Sequence, residues 1–300
     1  MKLVSYHHLG EIRLGAVERG KIVDIAAAGH LYSAATGQNV PQALFGSMVD
    51  LLCAPNGAVK SAAEIVTWAL ANAPDALFDL DMAEIDVPLA NPGKIVCIGL
   101  NYADHCRETG DPVPESPLLF CKFPTALLPH GGEITWLKEM TQKVDYEAEL
   151  AVIISKKATN VSEEEAMAYV GGYTIINDVS ARDVQFSDGQ WIRGKSFDTF
   201  CPIGPFVITA DSLPDPHTLD IQSRVNGKIM QNSNTAEMIF KIPYLISYIS
   251  RSSTLMPGDI ISTGTPHGVG IGQDPQVFLK AGDTVEVEVQ KIGILINTVI

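Results

Sequence analysis

The spacing of hydrophobic and polar positions changes along the chain, and the first ninety residues mix two kinds of pattern. The runs LVSYHH and LGAVERGKIVDI are short and rich in β-branched residues, which is typical of strands, and Arg19-Gly20 bends the second run into a hairpin. The later stretches ALFGSMVDLLC and SAAEIVTWALANA carry apolar residues at helical spacing. Proline and glycine in PLANPGK then mark a boundary. The pattern predicts a small N-terminal α/β domain over residues 1–90 and a main domain over residues 91–300.

Strands dominate the predicted main domain. Its apolar or alternating runs are KIVCIGL, SPLLFCKF, ELAVIIS, GYTIINDV, GPFVITA, DIQSRVNGKIM, DIISTGT and TVEVEVQKIGILINTVI. Helical signals are fewer, and the longer ones are SEEEAMAYV and FKIPYLISYISR. Because strands and long helices do not alternate regularly, a doubly wound sheet or a (β/α)₈ barrel is disfavoured. We predict an α+β fold that is mainly β.

Composition and charge narrow the class of protein. The chain has 300 residues and a net charge of −14, which argues against nucleic acid and anionic membranes because phosphate binding needs clustered Lys and Arg. The five cysteines form no CxxC pair, so reduced, intracellular thiols fit better than a zinc ribbon or a disulfide framework. The N-terminus has no apolar signal core, and no apolar run reaches the roughly 18 residues needed to span a bilayer. We therefore expect a cytoplasmic protein, or a mitochondrial matrix protein if a presequence has been removed.

The segment VDYEAELAVII carries the first candidate ligands. Alternate residues of a strand face the same side, so Asp145, Glu147 and Glu149 share one face. The run continues into the apolar AVII, which predicts that the strand enters a core. Glu147 and Glu149 are roughly 7 Å apart at the backbone, and their long side chains can converge on one cation. A solvated acidic face on an edge strand is the alternative interpretation.

A second apolar run, YTIIND, ends in Asp178, and a buried carboxylate is costly unless it is paired or bound to a cation. With Glu147 and Glu149 it predicts a site for a hard cation such as Mg²⁺, Mn²⁺ or Ca²⁺. Three carboxylates leave three octahedral positions open, enough for the two oxygens of a 2-oxo acid and a water molecule. They also leave a net negative charge, so an anionic substrate needs a nearby cation. Lys195 and Arg182 are candidates, although each taken alone is better explained as a surface charge.

NYADHCRETG predicts a short helix with His105 and Glu108 on one face, three residues apart. A carboxylate beside an imidazole fixes its tautomer and raises its basicity, which suits a general base near neutral pH. A surface His–Glu contact is the alternative. Cys106 is disfavoured as a nucleophile paired with His105, because adjacent helical residues point about 100° apart.

The glycine-rich segment TGTPHGVGIG lacks the GK[ST] of a P-loop, and no helix follows it as a dinucleotide fingerprint requires. It predicts a tight turn that lines a pocket, with Thr265 offering a hydroxyl group to a carboxylate. His267 lies in this turn and is either pocket-lining or incidental.

A series of segments resembles the fumarylacetoacetate hydrolase superfamily. The matching segments are KIVCIGLNYADHCRE, VDYEAELAVII, NDVSARD, GKSFDTFCPIGP, RVNGKIMQNSNT, PGDIISTGTPHGVG and KAGDTVEVEVQKIG. They follow in order and cover nearly all of residues 93–300. The likeness is greatest to the fumarylacetoacetate hydrolase domain-containing proteins, including the second mitochondrial paralogue of animals and its bacterial relatives.

This resemblance implies the family's mixed β-roll, a homodimer and a Mg²⁺ or Mn²⁺ cofactor. The implied site residues fall into three sets: metal ligands Glu147, Glu149 and Asp178; catalytic residues His105, Glu108 and Lys195; and substrate contacts Arg182, Gln185 and Thr265.

The family's reactions share an enolate formed from a 2-oxo acid, so we expect a small anionic 2-oxo acid as substrate. We predict C–C bond hydrolysis of an acylpyruvate-type substrate, because the pair of His105 and Glu108 is suited to activating water. The alternative is an oxaloacetate tautomerase or decarboxylase, to which the paralogue resemblance points. A sugar-acid dehydratase or lyase, and a binding protein without catalysis, are less favoured. Fold alone does not choose among these chemistries.

Overall fold

The computed structural model describes residues 1–55 and 57–300. The strands are β1 (Lys2–His8), β2 (Glu11–Glu18), β3 (Lys21–Asp24), β4 (Leu77–Asp79), β5 (Glu84–Ile85), β6 (Ile95–Gly99), β7 (Leu118–Lys122), β8 (Leu127–Leu128), β9 (Glu133–Ile134), β10 (Val144–Asp145), β11 (Ala148–Ile154), β12 (Val170–Asn177), β13 (Ser180–Ala181), β14 (Cys201–Thr209), β15 (Asp220–Val225), β16 (Lys228–Asn234), β17 (Ile260–Ser262), β18 (Thr284–Val289) and β19 (Gly293–Val299). The α-helices are α1 (Ile25–Thr36), α2 (Met48–Cys53), α3 (Ala58–Asn72), α4 (Ala103–Thr109), α5 (Glu163–Ala166), α6 (Arg182–Ser187), α7 (Ile192–Lys195) and α8 (Ile242–Ser252). Short 3₁₀ helices lie at Gln42–Phe45, Pro74–Ala76, Leu80–Met82, Pro124–Ala126, Met167–Tyr169, Ala210–Ser212, Thr235–Glu237 and Gly270–Gly272.

These strands form two main sheets and one small pair. The larger sheet runs β4-β3-β2-β1-β14-β12-β11-β17-β6-β7, with β5 paired to β1 and β8 paired to β14. The second sheet runs β16-β15-β18-β19-β9, and β10 pairs with β13. Most neighbours in the larger sheet are antiparallel, whereas β17 and β6 are parallel. The prediction of an α+β fold that is mainly β is confirmed.

The main core lies where the two sheets and α8 meet. It joins side chains of β11 and β12 to those of β15 and β18, and α8 adds Leu245, Ile246 and Ile249. Because β11 and β12 are covered on both faces, every residue of β11 is buried and the strand reads as a continuous apolar run after Glu149. The acidic residues next to this core are therefore held on the most enclosed strands of the larger sheet.

The N-terminal segment continues the larger sheet, because β1 pairs with β14 at Leu3 and Val207. Its helices pack in a second apolar cluster that also includes Ile153 and Val207. The division at residue 90 stays a prediction. α1 was not predicted, although Asp24 caps its first turn by accepting from the N–H of Ala27.

The predicted helix over residues 43–53 is two pieces, because Ser47 starts α2 with a capping box after the 3₁₀ turn Gln42–Phe45. No helix in residues 1–55 and 57–300 is both long and apolar enough to cross a membrane.

Asp24 offers a test of how the N-terminal segment is held. Its buried carboxylate accepts from Tyr6 Oη at 2.6 Å, pairs with Arg13 and caps α1. Asp24→Ala removes the cap and leaves the Tyr6 hydroxyl and the Arg13 guanidinium without this partner. We expect it to lower the free energy of unfolding by about 2–4 kcal/mol, measured by urea unfolding. Asp79→Ala, which removes the exposed pair with Lys21, is the control and should cost less than about 1 kcal/mol; equal losses would contradict the interpretation.

Candidate metal centre and active site

The acidic segment is not one continuous strand. β10 ends at Asp145 and β11 begins at Ala148, so Tyr146 and Glu147 lie in the break. Asp145 does not join the other two acids. Its carboxylate accepts from the N–H groups of Gly270 at 2.7 Å and Ile271 at 3.0 Å, and so fixes the glycine-rich turn. The strand alternation that we used for all three acids is therefore wrong for Asp145, and Glu147 lies just before β11 while Glu149 lies within it.

Glu147, Glu149 and Asp178 form one buried acidic cluster. One carboxylate oxygen from each lies within 4.8 Å of the others, and the three residues are 5%, 1% and 0% exposed. Asp178 follows the end of β12, and its N–H donates to the carbonyl of Glu147 at 2.9 Å. Asn177 Oδ1 in turn accepts from the N–H of Glu147 at 3.0 Å. The backbone at the ends of β11 and β12 thus holds the three carboxylates together.

Basic side chains surround two of the three acids. Lys195 Nζ donates to Glu147 Oε2 at 2.8 Å and to Asp178 Oδ2 at 2.9 Å. Arg182 Nη2 lies 2.6 Å from Glu147 Oε1, and its Nε donates to Asp145 at 2.8 Å. Although burial opposes it, Lys195 and then Arg182 lower the pKa of Glu147. Both basic residues are buried, so the interpretation of Lys195 and Arg182 as surface charges is wrong.

Lys122 is a third basic residue at this cluster, and the sequence analysis missed it. Its ammonium group donates to Asp178 Oδ1 at 2.6 Å and to the carbonyl of Val179 at 3.1 Å, and the side chain is wholly buried. β7 gives a signal in the sequence: a lysine ends the apolar run LLFCK, and an ammonium group there is costly unless an acid meets it.

Glu149 is the cluster member that receives no basic partner among the described residues. Its carboxylate accepts from Ser262 Oγ and from the N–H of Gly264. Burial, and then the neighbouring carboxylates of Asp178 and Glu147, raise the pKa of Glu149 well above its usual value. An additional positive charge at this point would relieve that repulsion.

The charge and chemistry of the cluster fit a hard divalent cation. With Asp145 included, the four carboxylates exceed the three basic groups by one charge. A divalent cation reverses that excess to one positive charge, which suits an anionic substrate. Three carboxylate oxygens are ligands that such cations prefer.

The pair of His105 and Glu108 forms as the sequence suggests. His105 Nδ1 lies 3.1 Å from Glu108 Oε2 on α4, and Glu108 Oε1 accepts from the N–H of Gly268 at 2.8 Å. The contact at Nδ1 favours the tautomer that leaves Nε2 free to accept a proton. Both side chains are largely buried, so this is not a surface contact. Cys106 Sγ instead faces the carbonyl of Leu100, and burial raises the pKa of its thiol.

One cavity of about 210 Å³ gathers these groups. Of the nine candidate site residues, those that line it are His105, Glu147, Glu149, Arg182, Gln185, Lys195 and Thr265. Asp178 and Glu108 contact residues of this lining. The remaining wall is mainly apolar and includes Ile98, Leu100, Phe120, Phe186, Trp191 and Ile271. Gly99 packs against Trp191, and a Cβ atom at Gly99 would lie 2.6 Å from Trp191 Cζ3.

The three candidate substrate contacts also have partners within the protein. Arg182 Nη1 donates to Gln185 Oε1 at 3.1 Å, so both side chains are held in the lining. Thr265 Oγ1 accepts from Gln231 Nε2 at 2.8 Å. Gln231 was missed by the sequence analysis. Its Oε1 also accepts from the N–H of Ala148 at 2.9 Å, so it links the turn to the start of β11.

The chain belongs to the fumarylacetoacetate hydrolase family, because the family described as "Fumarylacetoacetate (FAA) hydrolase C-terminal" matches residues 94–300. The sequence-based assignment to this superfamily is confirmed.

Individual relatives agree with this family and have several named activities. The mitochondrial oxaloacetate tautomerase FAHD2A of Bos taurus is 51% identical over 216 residues, which are 71% of this chain and 68% of that protein. The fumarylacetoacetate hydrolase (EaFAH) of Exiguobacterium antarcticum has a structure with a TM-score of 0.79 and 33% identity, covering 100% of this chain and 99% of that one. The maleylpyruvate hydrolase of Sphingobium sp. SYK-6, solved with a manganese(II) ion and pyruvate, has a TM-score of 0.76 and 29% identity, covering 100% and 99%.

The acidic cluster predicts a stabilising effect of divalent cations. Adding Mg²⁺ to metal-stripped protein should raise its melting temperature in a thermal-shift assay, because binding relieves repulsion among the three carboxylates. Glu149→Gln keeps the side-chain size and removes one ligand charge, so it should abolish most of the rise. Glu84→Gln, at an exposed position of β5, should retain the full rise. Equal melting temperatures of the wild type with Mg²⁺ and with EDTA would contradict the assignment.

Proposed function

We propose that this protein catalyses the keto–enol tautomerisation of oxaloacetate with Mg²⁺ or Mn²⁺ held by Glu147, Glu149 and Asp178. The observation that carries the proposal is the placement of a His–Glu pair and a buried acidic cluster on one cavity. Relatives that are 48–51% identical are named oxaloacetate tautomerases, which supports this reaction over the hydrolysis favoured from the sequence. Its assembly as a homodimer and its cellular location stay predictions.

The residues of the cavity suit a proton transfer next to a carbonyl group. A divalent cation in the cluster would supply Lewis acidity to the 2-oxo group of the substrate. His105 Nε2 accepts the proton from C3 of the keto form, and the imidazolium gives this proton to the 2-oxygen, which forms the enol and restores the neutral imidazole. Glu108 holds the imidazole through Nδ1 and stabilises the imidazolium that forms. Lys122, Lys195 and Arg182 offset most of the charge of the cluster, and a divalent cation would bring the sum to one positive charge, so an anionic substrate would not be repelled.

Hydrolysis of an acylpyruvate is the second candidate, and the outer cavity wall favours it. That wall is mainly apolar, and the two basic residues that line the cavity, Arg182 and Lys195, already pair with cluster carboxylates. An uncharged acyl tail fits such a wall better than a second carboxylate does. The maleylpyruvate hydrolase that resembles this chain is only 29% identical, so it supports hydrolysis less than the closer relatives support tautomerisation.

Removing the proposed base tests the tautomerase mechanism. His105→Ala should slow oxaloacetate enol–keto exchange, followed by the enol absorbance with saturating Mg²⁺, by about 10²–10⁴-fold. Magnesium-dependent binding of oxalate, measured by calorimetry, should persist because the three carboxylates remain. His130→Ala, outside the cavity lining, is the control and should keep the wild-type rate. Exchange at the wild-type rate in His105→Ala would show that another group moves the proton.

The choice between the two reactions follows from the wild type. We expect fast exchange of oxaloacetate and slow or undetectable cleavage of acetylpyruvate under the same conditions, both dependent on divalent cation. The kcat values of the two reactions, measured side by side, decide between them. Rapid acetylpyruvate cleavage with no acceleration of exchange would overturn the tautomerase proposal and establish the hydrolase.

A further inference from the structure

The helix that carries the proposed base has few attachments of its own. α4 is seven residues long, and Tyr102 at its N-cap makes no side-chain capping bond. Arg107 pairs with Glu237, but both side chains are well exposed, and such a pair contributes little to stability. The position of His105 therefore depends on the other side chains of this helix.

Asp104 and Glu108 supply those attachments, and both reach the glycine-rich turn. They are four residues apart and so lie on neighbouring positions of one helical face. Asp104 Oδ2 lies 2.8 Å from His267 Nδ1 and also accepts from Ser233 Oγ of β16, and Glu108 Oε1 accepts from the N–H of Gly268 at 2.8 Å. Two consecutive residues of the turn thus hold two carboxylates of α4.

The turn is itself fixed to the segment that leads into the acidic cluster. The Tyr146 hydroxyl donates to the carbonyl of Gly268 at 3.1 Å, and Asp145 accepts from the N–H groups of Gly270 and Ile271. Asp145 and Tyr146 immediately precede Glu147. The turn therefore connects the helix of the base to the strand of the cation ligands.

The turn is closely packed at two of its glycines. A Cβ atom on Gly268 would lie 2.2 Å from the carbonyl oxygen of Met230, and one on Gly272 would lie 2.6 Å from Cδ of Glu108. A contact made to the turn therefore attaches its partner to well-packed surroundings. Glu108 contacts a backbone N–H of the turn, whereas Asp104 contacts a side chain of the turn, that of His267.

We propose that His267 is a positioning residue: through Asp104 it holds α4 so that His105 stays beside the acidic cluster. The role rests on the proton transfer proposed above. Among the described residues, His267 is absent from the cavity lining, so it acts through Asp104 and not on the substrate. The side chains of His267 and Asp104 are 44% and 10% exposed, and a pair of that kind contributes little to stability. Its loss loosens α4 without unfolding the protein.

Two substitutions of His267 test this role in the magnesium-loaded protein. His267→Ala removes one of the two side-chain donors to Asp104 and leaves Ser233 Oγ, whereas His267→Asn keeps an amide N–H at the position of Nδ1. We expect His267→Ala to lower kcat for oxaloacetate exchange about tenfold and to leave KM within about twofold, because the cation ligands are intact. Amide hydrogen exchange in residues 103–110 should become faster in this variant. His267→Asn should restore both kcat and protection.

His7→Ala is the matched control, because His7 lies 3.5 Å from Asp86 in a pair with similar exposure, 37% and 16%. It should change neither kcat nor exchange in α4. An unchanged kcat in His267→Ala overturns the proposal. Equal loss in the Ala and Asn variants, with α4 exchange as in the wild type, also overturns it, because the imidazole then acts directly. If the wild type does not tautomerise oxaloacetate, the proposed function fails, and the exchange measurements still decide whether His267 holds α4.

Discussion

The carboxylates of Glu147, Glu149 and Asp178 repel one another in a part of the protein that water hardly reaches. Charges this deeply buried are stable only with opposite charges in contact. Three basic residues meet that need, and they come from three separate elements: Lys122 from β7, Arg182 from α6 and Lys195 from α7. Much of the architecture around the ends of β11 and β12 therefore serves to bring distant cations to one point.

The positions of the basic groups also determine which carboxylate of the cluster has no positive charge in contact. Lys122 and Lys195 contact opposite oxygens of Asp178, and Lys195 and Arg182 contact opposite oxygens of Glu147. Within the described part of the chain, Glu149 receives only the Ser262 hydroxyl and the N–H of Gly264. The protein thus neutralises most of the cluster with its own basic residues. The carboxylate that lacks a basic partner, Glu149, lines the cavity, where a bound cation and a substrate carbonyl can meet.

The sequence predicted the acids better than their partners, and the reason is physical. A carboxylate at the end of an apolar strand conflicts with its surroundings, so Glu149 and Asp178 stood out from the local pattern alone. A long basic side chain can extend from a buried backbone to water, so Lys195 resembled a surface residue, and Lys122 was not singled out. Their pairing joins positions 48 and 56 residues apart, which no local spacing encodes.

The fold, like the site, was predicted where local sequence patterns determine it and missed where contacts between distant residues do. The main strands could be predicted from alternation and apolar runs. α1 could not, because its alanine-rich sequence has little contrast between an apolar and a polar face. The role of the glycine-rich turn depends on Asp104 and Glu108, more than 150 residues earlier in the chain. Contacts of that separation come from the tertiary structure.

Gly99 and Trp191 have a consequence for how the cavity can change during evolution. A side chain at position 99 would collide with the Trp191 ring, which forms part of the apolar wall. While the tryptophan is present, a larger residue at position 99 collides with it. Once a smaller residue replaces the tryptophan, the remaining close neighbour is Leu118 Cδ2, 3.1 Å from the Cβ position, at the end of a flexible side chain. The order of the two substitutions therefore matters, and descendants of this protein would reach a reshaped substrate pocket by changing Trp191 first.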